Sequence, residues 1–202
     1  MSNVSPITIV NVGYRSTNYW VVSAGAARIL VDIGWPGTLG KMKANLARKG
    51  IPLQEIRYAL ATHYHIDHAG LAEEIKQEGV PLLVLDVQVP AISVMKSWTK
   101  PADNYIDITL NGIVTISFDE SRKFLAQIGI PGEILHTPGH SDHCISLLLD
   151  DGSAFTGDLP PEAFSWDNPV ALVSWRLLRE KGAKQVYPAH GPIRPIDDKP
   201  SL

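Results

Sequence analysis

Thr62-His63-Tyr64-His65-Ile66-Asp67-His68 is the stretch on which the reading of this chain turns. It directly follows the apolar run Tyr58-Ala59-Leu60-Ala61 and crowds four metal-ligating residue types, His63, His65, Asp67 and His68, into six positions. A core has no use for so many polar groups, since each one buried without a partner is costly. In an extended segment residues i and i+2 point the same way, so His63 and His65 can address one ion together. Asp67 and His68 come at the turn into a following helix and can address a neighbouring position.

Three further segments repeat the arrangement of a short apolar run leading into a ligand-type residue flanked by Gly or Pro. Ile134-Leu135 leads to Thr137-Pro138-Gly139-His140, Ala154-Phe155 to Thr156-Gly157-Asp158, and Val186-Tyr187 to Pro188-Ala189-His190-Gly191. Each reads as a buried strand bounded by turn chemistry, which places the ligand at a strand end on a rigid platform. Imidazole and carboxylate suit borderline divalent ions, and a catalytic site uses about three protein ligands while leaving a position for water. The seven candidates exceed one such site and suit two ions that share a carboxylate.

With its ordered series His-x-His-x-Asp-His, then His140, Asp158 and His190, the chain resembles the metallo-β-lactamase-fold hydrolases over about residues 7 to 195. That superfamily includes glyoxalase II (hydroxyacylglutathione hydrolase), lactonases and tRNA-processing nucleases. The resemblance implies an α/β fold, a four-layer αβ/βα sandwich. It implies that His63, His65 and His140 hold a first ion, that Asp67, His68 and His190 hold a second, and that Asp158 bridges both. Zinc is the first choice of metal, with iron and manganese as alternatives. β-Lactamases of this fold carry Cys or Ser where Asp158 stands, which lowers lactam hydrolysis in rank. The nucleases carry a long arm for RNA, and no basic insertion of that kind is visible. Glyoxalase II continues after its last histidine into a helical domain that grips glutathione. Here eleven residues follow Gly191, so glutathione specificity does not carry over with the metal ligands.

The whole chain is consistent with one domain spanning residues 1–202, with a polar tail from about residue 193. A length of 202 residues suffices for one well-buried core. The formal net charge of −3 offers no electrostatic footprint for nucleic acid, and Lys41, Lys43, Arg48 and Lys49 read as the solvated face of a helix. The apolar stretch from Val80 to Met95 is interrupted by Asp86, Gln88 and Pro90. No signal peptide or membrane span is expected, and the location is read as cytoplasmic. The single cysteine, Cys144, lies in an apolar run and reads as a buried thiol. The partner expected is a small-molecule substrate, with neither nucleic acid nor membrane.

Strands are predicted near 7–12, 18–23, 28–33, 58–62, 113–118, 133–136, 145–149, 153–157 and 185–188, and helices near 39–49, 69–78, 120–128 and 169–181. Two divalent ions outweigh the charges of Asp67, Asp158 and a bridging hydroxide. The resulting positive centre would polarise a carbonyl and stabilise the oxyanion formed on attack, with Asp67 and Asp158 as the catalytic carboxylates. No separate general acid is evident, which favours thiolate and other good leaving groups over amines. The expected activity is hydrolysis of a small thioester, ester or lactone. A mononuclear iron sulfur dioxygenase on the same fold is the alternative, and β-lactamase, phosphodiesterase or an idle binding protein rank behind it. Asp32 is read as a carboxylate that receives the free N–H of a ligand histidine. His136 is read as an interior residue, and His143 as one that a tight turn can bring back towards the site. Trp35, Trp98, Phe164 and Trp166 are candidates for an apolar wall beside the metals, and Arg15 reads as exposed.

Overall fold

The computed structural model describes residues 6–196. Six strands form a first sheet in chain order: β1 (Ile7–Asn11), β2 (Trp20–Ala24), β3 (Ala27–Val31), β4 (Tyr58–Leu60), β5 (Leu82–Leu85) and β6 (Ile113–Ile116). The first three are antiparallel, and from β3 onward the pairing is parallel. A second sheet has the order β11-β10-β9-β8-β7, built from β7 (Gly132–His136), β8 (Ile145–Leu149), β9 (Ser153–Gly157), β10 (Gln185–Pro188) and β11 (Arg194–Pro195). The helices are α1 (Leu39–Arg48), α2 (Ile66–Ala69), α3 (Ala72–Gln77), α4 (Val89–Val94), α5 (Phe118–Gln127) and α6 (Pro169–Glu180).

Alternation along the strands sorts the apolar residues into layers. On β5, Leu82 and Val84 face helices α1 and α3 together with Met42, Leu46 and Ile75. Leu83 and Leu85 face the other way and meet Ile145, Leu147, Leu149 and Phe155 of the second sheet. Behind that sheet, Leu135, Leu148, Ala154 and Val186 bury Ala171, Trp175 and Leu178 of α6. The result is the expected four-layer αβ/βα sandwich. Among the described residues, no helix is long and apolar enough to cross a membrane.

Several predicted elements shift for identifiable reasons. The helix expected at 69–78 is divided into α2 and α3 at Gly70, where a Cβ would lie 2.4 Å from Pro36 Cδ, and the Leu71 N–H leaves the helical ladder to donate to Gly34 O. Helix α5 starts two residues early because Ser117 and Glu120 form a capping box. Strand β4 stops at Leu60 rather than residue 62, since side chains of Gln88 and Asp32 take over its backbone bonding. Strand β5 and helix α4 were not expected: Asp86, Gln88 and Pro90 interrupt the apolar stretch, and the four-residue apolar run before them is too short to separate strand from helix by period. The tail pairs with β10 through Arg194–Pro195; residues 1–5 and 197–202 lie outside the described residues.

Strand direction places the candidate ligands. Strands β3 and β4 are parallel, so Asp32 and His63 emerge at the same edge of the first sheet. In the second sheet β7, β9 and β10 all run the same way, and His140, Asp158 and His190 follow their carboxyl ends. The two edges are tied where the Ile145 N–H donates to Thr62 O at 2.9 Å.

Phe155, fully buried between the sheets, stacks on Tyr187 with ring centroids 4.9 Å apart and meets Trp20 edge-on at 6.2 Å. Replacing it in Phe155→Ala is expected to cost about 3–5 kcal/mol in urea unfolding, the range for emptying an aromatic core position. A loss below about 1 kcal/mol would contradict this account of how the sheets are held together.

Candidate metal centre

The seven candidate ligands converge. His63, His65 and His140 form one group with ligand atoms all within 4.8 Å of one another, and Asp67, His68 and His190 form another. Within the first, the rings of His63 and His65 lie 4.5 Å apart, each is 4.8 Å from His140, and His140 Nε2 is 3.0 Å from His65 Nδ1. Within the second, Asp67 Oδ2 lies 3.4 Å from His68 Nε2 and 3.2 Å from His190 Nε2. Asp158 stands between the groups: Oδ2 is 3.8, 3.4 and 3.7 Å from His63, His68 and His140, while Oδ1 is 3.5 Å from His190.

The donor set fits divalent ions. Two ligands held tetrahedrally at about 2.05 Å from an ion lie about 3.3 Å apart, and the separations within the cluster fall around that value. His63 Nε2, His68 Nε2 and Asp158 Oδ1 are buried without a hydrogen-bond partner among the described residues. Polar atoms left so in a native interior call for an ion or an equivalent partner.

Local structure aims each ligand. His65 is extended, with φ −103° and ψ 163°, and immediately precedes α2, whose first turn carries Asp67 and His68. The Thr137-Pro138-Gly139 turn is clamped by α6, since Asn168 Nδ2 donates to Gly139 O and Ser174 Oγ to Pro138 O. His190 is fixed by the β1–β2 loop: its Nδ1 lies 2.7 Å from Ser16 O, and Asn18 donates to the carbonyls of Pro188 and Gly191. Gly157 adopts φ 56°, and a Cβ there would lie 2.2 Å from Thr62 Oγ1. Only glycine brings Asp158 this close to the histidine loop.

Asp32 stands beside a candidate ligand histidine, as expected, though His68 Nδ1 makes no hydrogen bond to it. Its Oδ2 lies 3.1 Å from His68 Nδ1, and its Oδ1 accepts both the N–H and the hydroxyl of Thr62 at 2.8 Å. His63 Nδ1 lies 3.3 Å from the same Thr62 oxygen, so one buried carboxylate orients a histidine in each group. Thr17 donates to Asp67 Oδ2 and the Tyr19 hydroxyl to Asp67 O. The sequence reading missed Thr17, Thr62 and Gln88 as supports. Thr62 carried the one usable signal, a hydroxyl beside the first histidine.

Titration follows from this packing. Burial, reinforced by the neighbouring imidazoles, holds His63 well below the ordinary histidine range, so it is neutral and ready to ligate. Burial also disfavours charge on His68, but Asp32, Asp158 and Asp67 outweigh it and raise that group well above the ordinary range. For Asp67 and Asp158 burial pushes upward, and contact with His68 overcomes it and holds both carboxyls low.

The remaining candidates separate. His136 lies outside the ligand groups, with Nε2 2.7 Å from Asp142 O and its ring against Phe118. His143 does return to the site's margin, its ring 6.5 Å from those of His63 and His65. Its Nε2 accepts the Tyr64 N–H. Cys144 is buried as expected, and burial raises its thiol. Trp98 stands beside His65, whereas Phe164 lines a separate cleft with Trp175 and Ile196. Trp166 is 83% exposed. Arg15 is exposed, as read, and lies over Trp35 at 5.0 Å.

The sequence pattern of the metallo-beta-lactamase superfamily matches residues 12–190. The chain belongs to that superfamily. It is 31% identical over 183 residues to the lactamase-like protein nscB of Trichophyton rubrum, covering 88% of this chain and 49% of that one. It is 27% identical over 202 residues to the probable metallo-hydrolase MJ0888 of Methanocaldococcus jannaschii, covering 90% of each. This superfamily member thus spans about half the length of nscB and nearly all of MJ0888. Among solved structures, TTHA1623 in a di-iron-bound form superposes with a TM-score of 0.69 at 21% identity over 94% of both chains, which shows the shared fold.

Asp32→Ala is expected to weaken divalent metal binding about 10- to 100-fold, because the histidines it orients lose their partner. His136→Ala is expected to change it less than about threefold. Competition with a chromophoric chelator measures both, and equal losses would refute the distinction.

Proposed function

We propose that this chain is a dinuclear metal-dependent hydrolase, glyoxalase II-like at its metal centre, that cleaves a small thioester, ester or lactone. The observation that carries the reading is the position of Asp158, one carboxylate reaching histidines of both ligand groups. His63, His65 and His140 would hold one ion, Asp67, His68 and His190 the other, and Asp158 both. Zinc is the metal we favour for this all-imidazole and carboxylate set, and iron and manganese use the same ligand types. When bound, such ions lower the pKa of water to near 7 and polarise a carbonyl oxygen.

The chain's own residues shape the rest. Asp67 and Asp158 stay ionised and partly solvent-accessible, so they would offset the ions' charge. Thr17 and Tyr19 hold Asp67 in place. The nearest further imidazole, His143, uses Nε2 as an acceptor from the Tyr64 backbone, and Cys144 is buried. Neither supplies a leaving group with a proton from those atoms, and this favours a departing thiolate or other weakly basic group over an amine.

Purified protein is expected to bind close to two divalent ions per chain, and Asp158→Ala to weaken both. His140→Ala is expected to lower kcat/KM by at least about 10²-fold. The zinc or manganese form should turn over thioesters or lactones without consuming oxygen. Iron-dependent oxygen uptake with a persulfide substrate, with no hydrolysis of any acyl substrate, would replace this reading with a dioxygenase.

A further inference from the structure

The segment from the turn at Asp86–Gln88 through helix α4 to Trp98 has two faces. Gln88, Ile92 and Met95 point inward and are buried. Val87, Ala91, Val94 and Trp98 recur at spacings of four, three and four, which places them in one stripe along the other side. The far end of that second stripe is uncovered: Val94 is 51% exposed and Trp98 is 67% exposed, while Val87 and Ala91 are half-buried. An apolar stripe left open to water is an informative feature of a soluble chain, because nothing in the fold requires it.

The stripe forms one wall of a trough of about 600 Å³, and His65 and His140 line the same trough. Its volume lies within the range of small-molecule sites, and the Trp98 ring lies 6.5 Å from that of His65. The apolar wall therefore begins at the ligand cluster itself. The residues that support Asp67 and His190 adjoin the opposite chemistry, in a cavity that none of the seven candidate ligands lines. Thr17, which donates to Asp67, and Asn18, which holds the residues on either side of His190, line a polar cavity of about 480 Å³ with Arg15, Arg48 and Lys49.

We propose that the trough over Val87, Ala91, Val94 and Trp98 is the acyl subsite, and that the substrate carries an extended apolar acyl group. This rests on the hydrolase reading for the bond that is cleaved, but the apolar contact is independent of it. Water adds to the carbonyl carbon and gives up its two protons to solvent, the bond to sulfur or oxygen breaks with its electron pair leaving on that atom, and the apolar carboxylate remains in the trough.

The test uses n-alkyl carboxylates from acetate to octanoate, titrated by calorimetry into zinc-loaded and metal-free protein. Affinity is expected to rise about two- to fourfold per methylene in both forms, the increment for burying a CH₂ in a partly open trough. Trp98→Ala and Val94→Asp are expected to flatten that dependence, and Val94→Leu to retain it. Phe164→Ala, which removes an equally exposed aromatic from a separate cleft, is expected to leave it intact. Acyl thioesters from acetyl to octanoyl are then compared with acetyl thioesters of lengthening alkyl thiols, and kcat/KM should climb in the first series alone. Affinity independent of chain length, equal slopes in Val94→Asp and Val94→Leu, or a climb in the thiol series would overturn the proposal. Chain-length-dependent carboxylate binding without hydrolysis of any acyl substrate would instead leave the trough standing and remove the hydrolase reading.

Discussion

Asp32 is the residue on which the arrangement of the candidate metal ligands depends. It sits 1% exposed at the end of β3, in a left-handed conformation with φ 59° that costs a non-glycine residue about 1–3 kcal/mol. The carboxylate so presented takes the N–H and hydroxyl of Thr62 on one oxygen and faces His68 with the other. Through the Thr62 hydroxyl it also reaches His63. A buried carboxylate is unfavourable unless it is densely partnered, and here its partners are the residues that aim the histidines. The same contacts therefore stabilise the charge and orient the ligands.

Convergence of the other ligands is a consequence of strand direction. Three strands of the second sheet run the same way and end in His140, Asp158 and His190, and two parallel strands of the first end in Asp32 and His63. Each end is then pinned by a neighbour from another layer: α6 holds the His140 turn, the β1–β2 loop holds the His190 turn, and Gly157 lets the Asp158 turn approach Thr62. Ligands on such ends move little when ions bind, which is what a site needs if its geometry is to favour chemistry over adaptation.

The convergence of the seven candidate ligands, the layer order and most strands were legible in the sequence, because each candidate is marked by an apolar run before it and turn chemistry around it. What was hidden lies where side chains replace backbone bonding. Gln88 sits inside an apolar run, yet its amide donates to Ala61 O and Thr62 O and accepts from the Leu85 N–H. A lone glutamine in such a run carries no sequence mark of that use. The same run hides the boundary between β5 and α4, since period-2 and period-3.6 patterns coincide when nearly every position is apolar. Phe164 and Trp166 were candidates for the substrate wall because they follow Asp158 in sequence; the chain carries Phe164 away to another cleft, and sequence proximity to a ligand proved a poor guide to spatial proximity.

The two faces of the segment from Val87 to Trp98 also separate two kinds of evolutionary freedom. Gln88, Ile92 and Met95 tie it to the core and to the carbonyls just before His63, so changes there disturb folding and metal placement together. Val87 and Ala91 also pack partly against the cores, whereas Val94 and Trp98 are exposed, and substitutions at those two positions can alter the surface offered beside the ligand cluster while its support stays in place. A lineage using this scaffold can thus drift among apolar partners of different length by changing the side chains at 94 and 98.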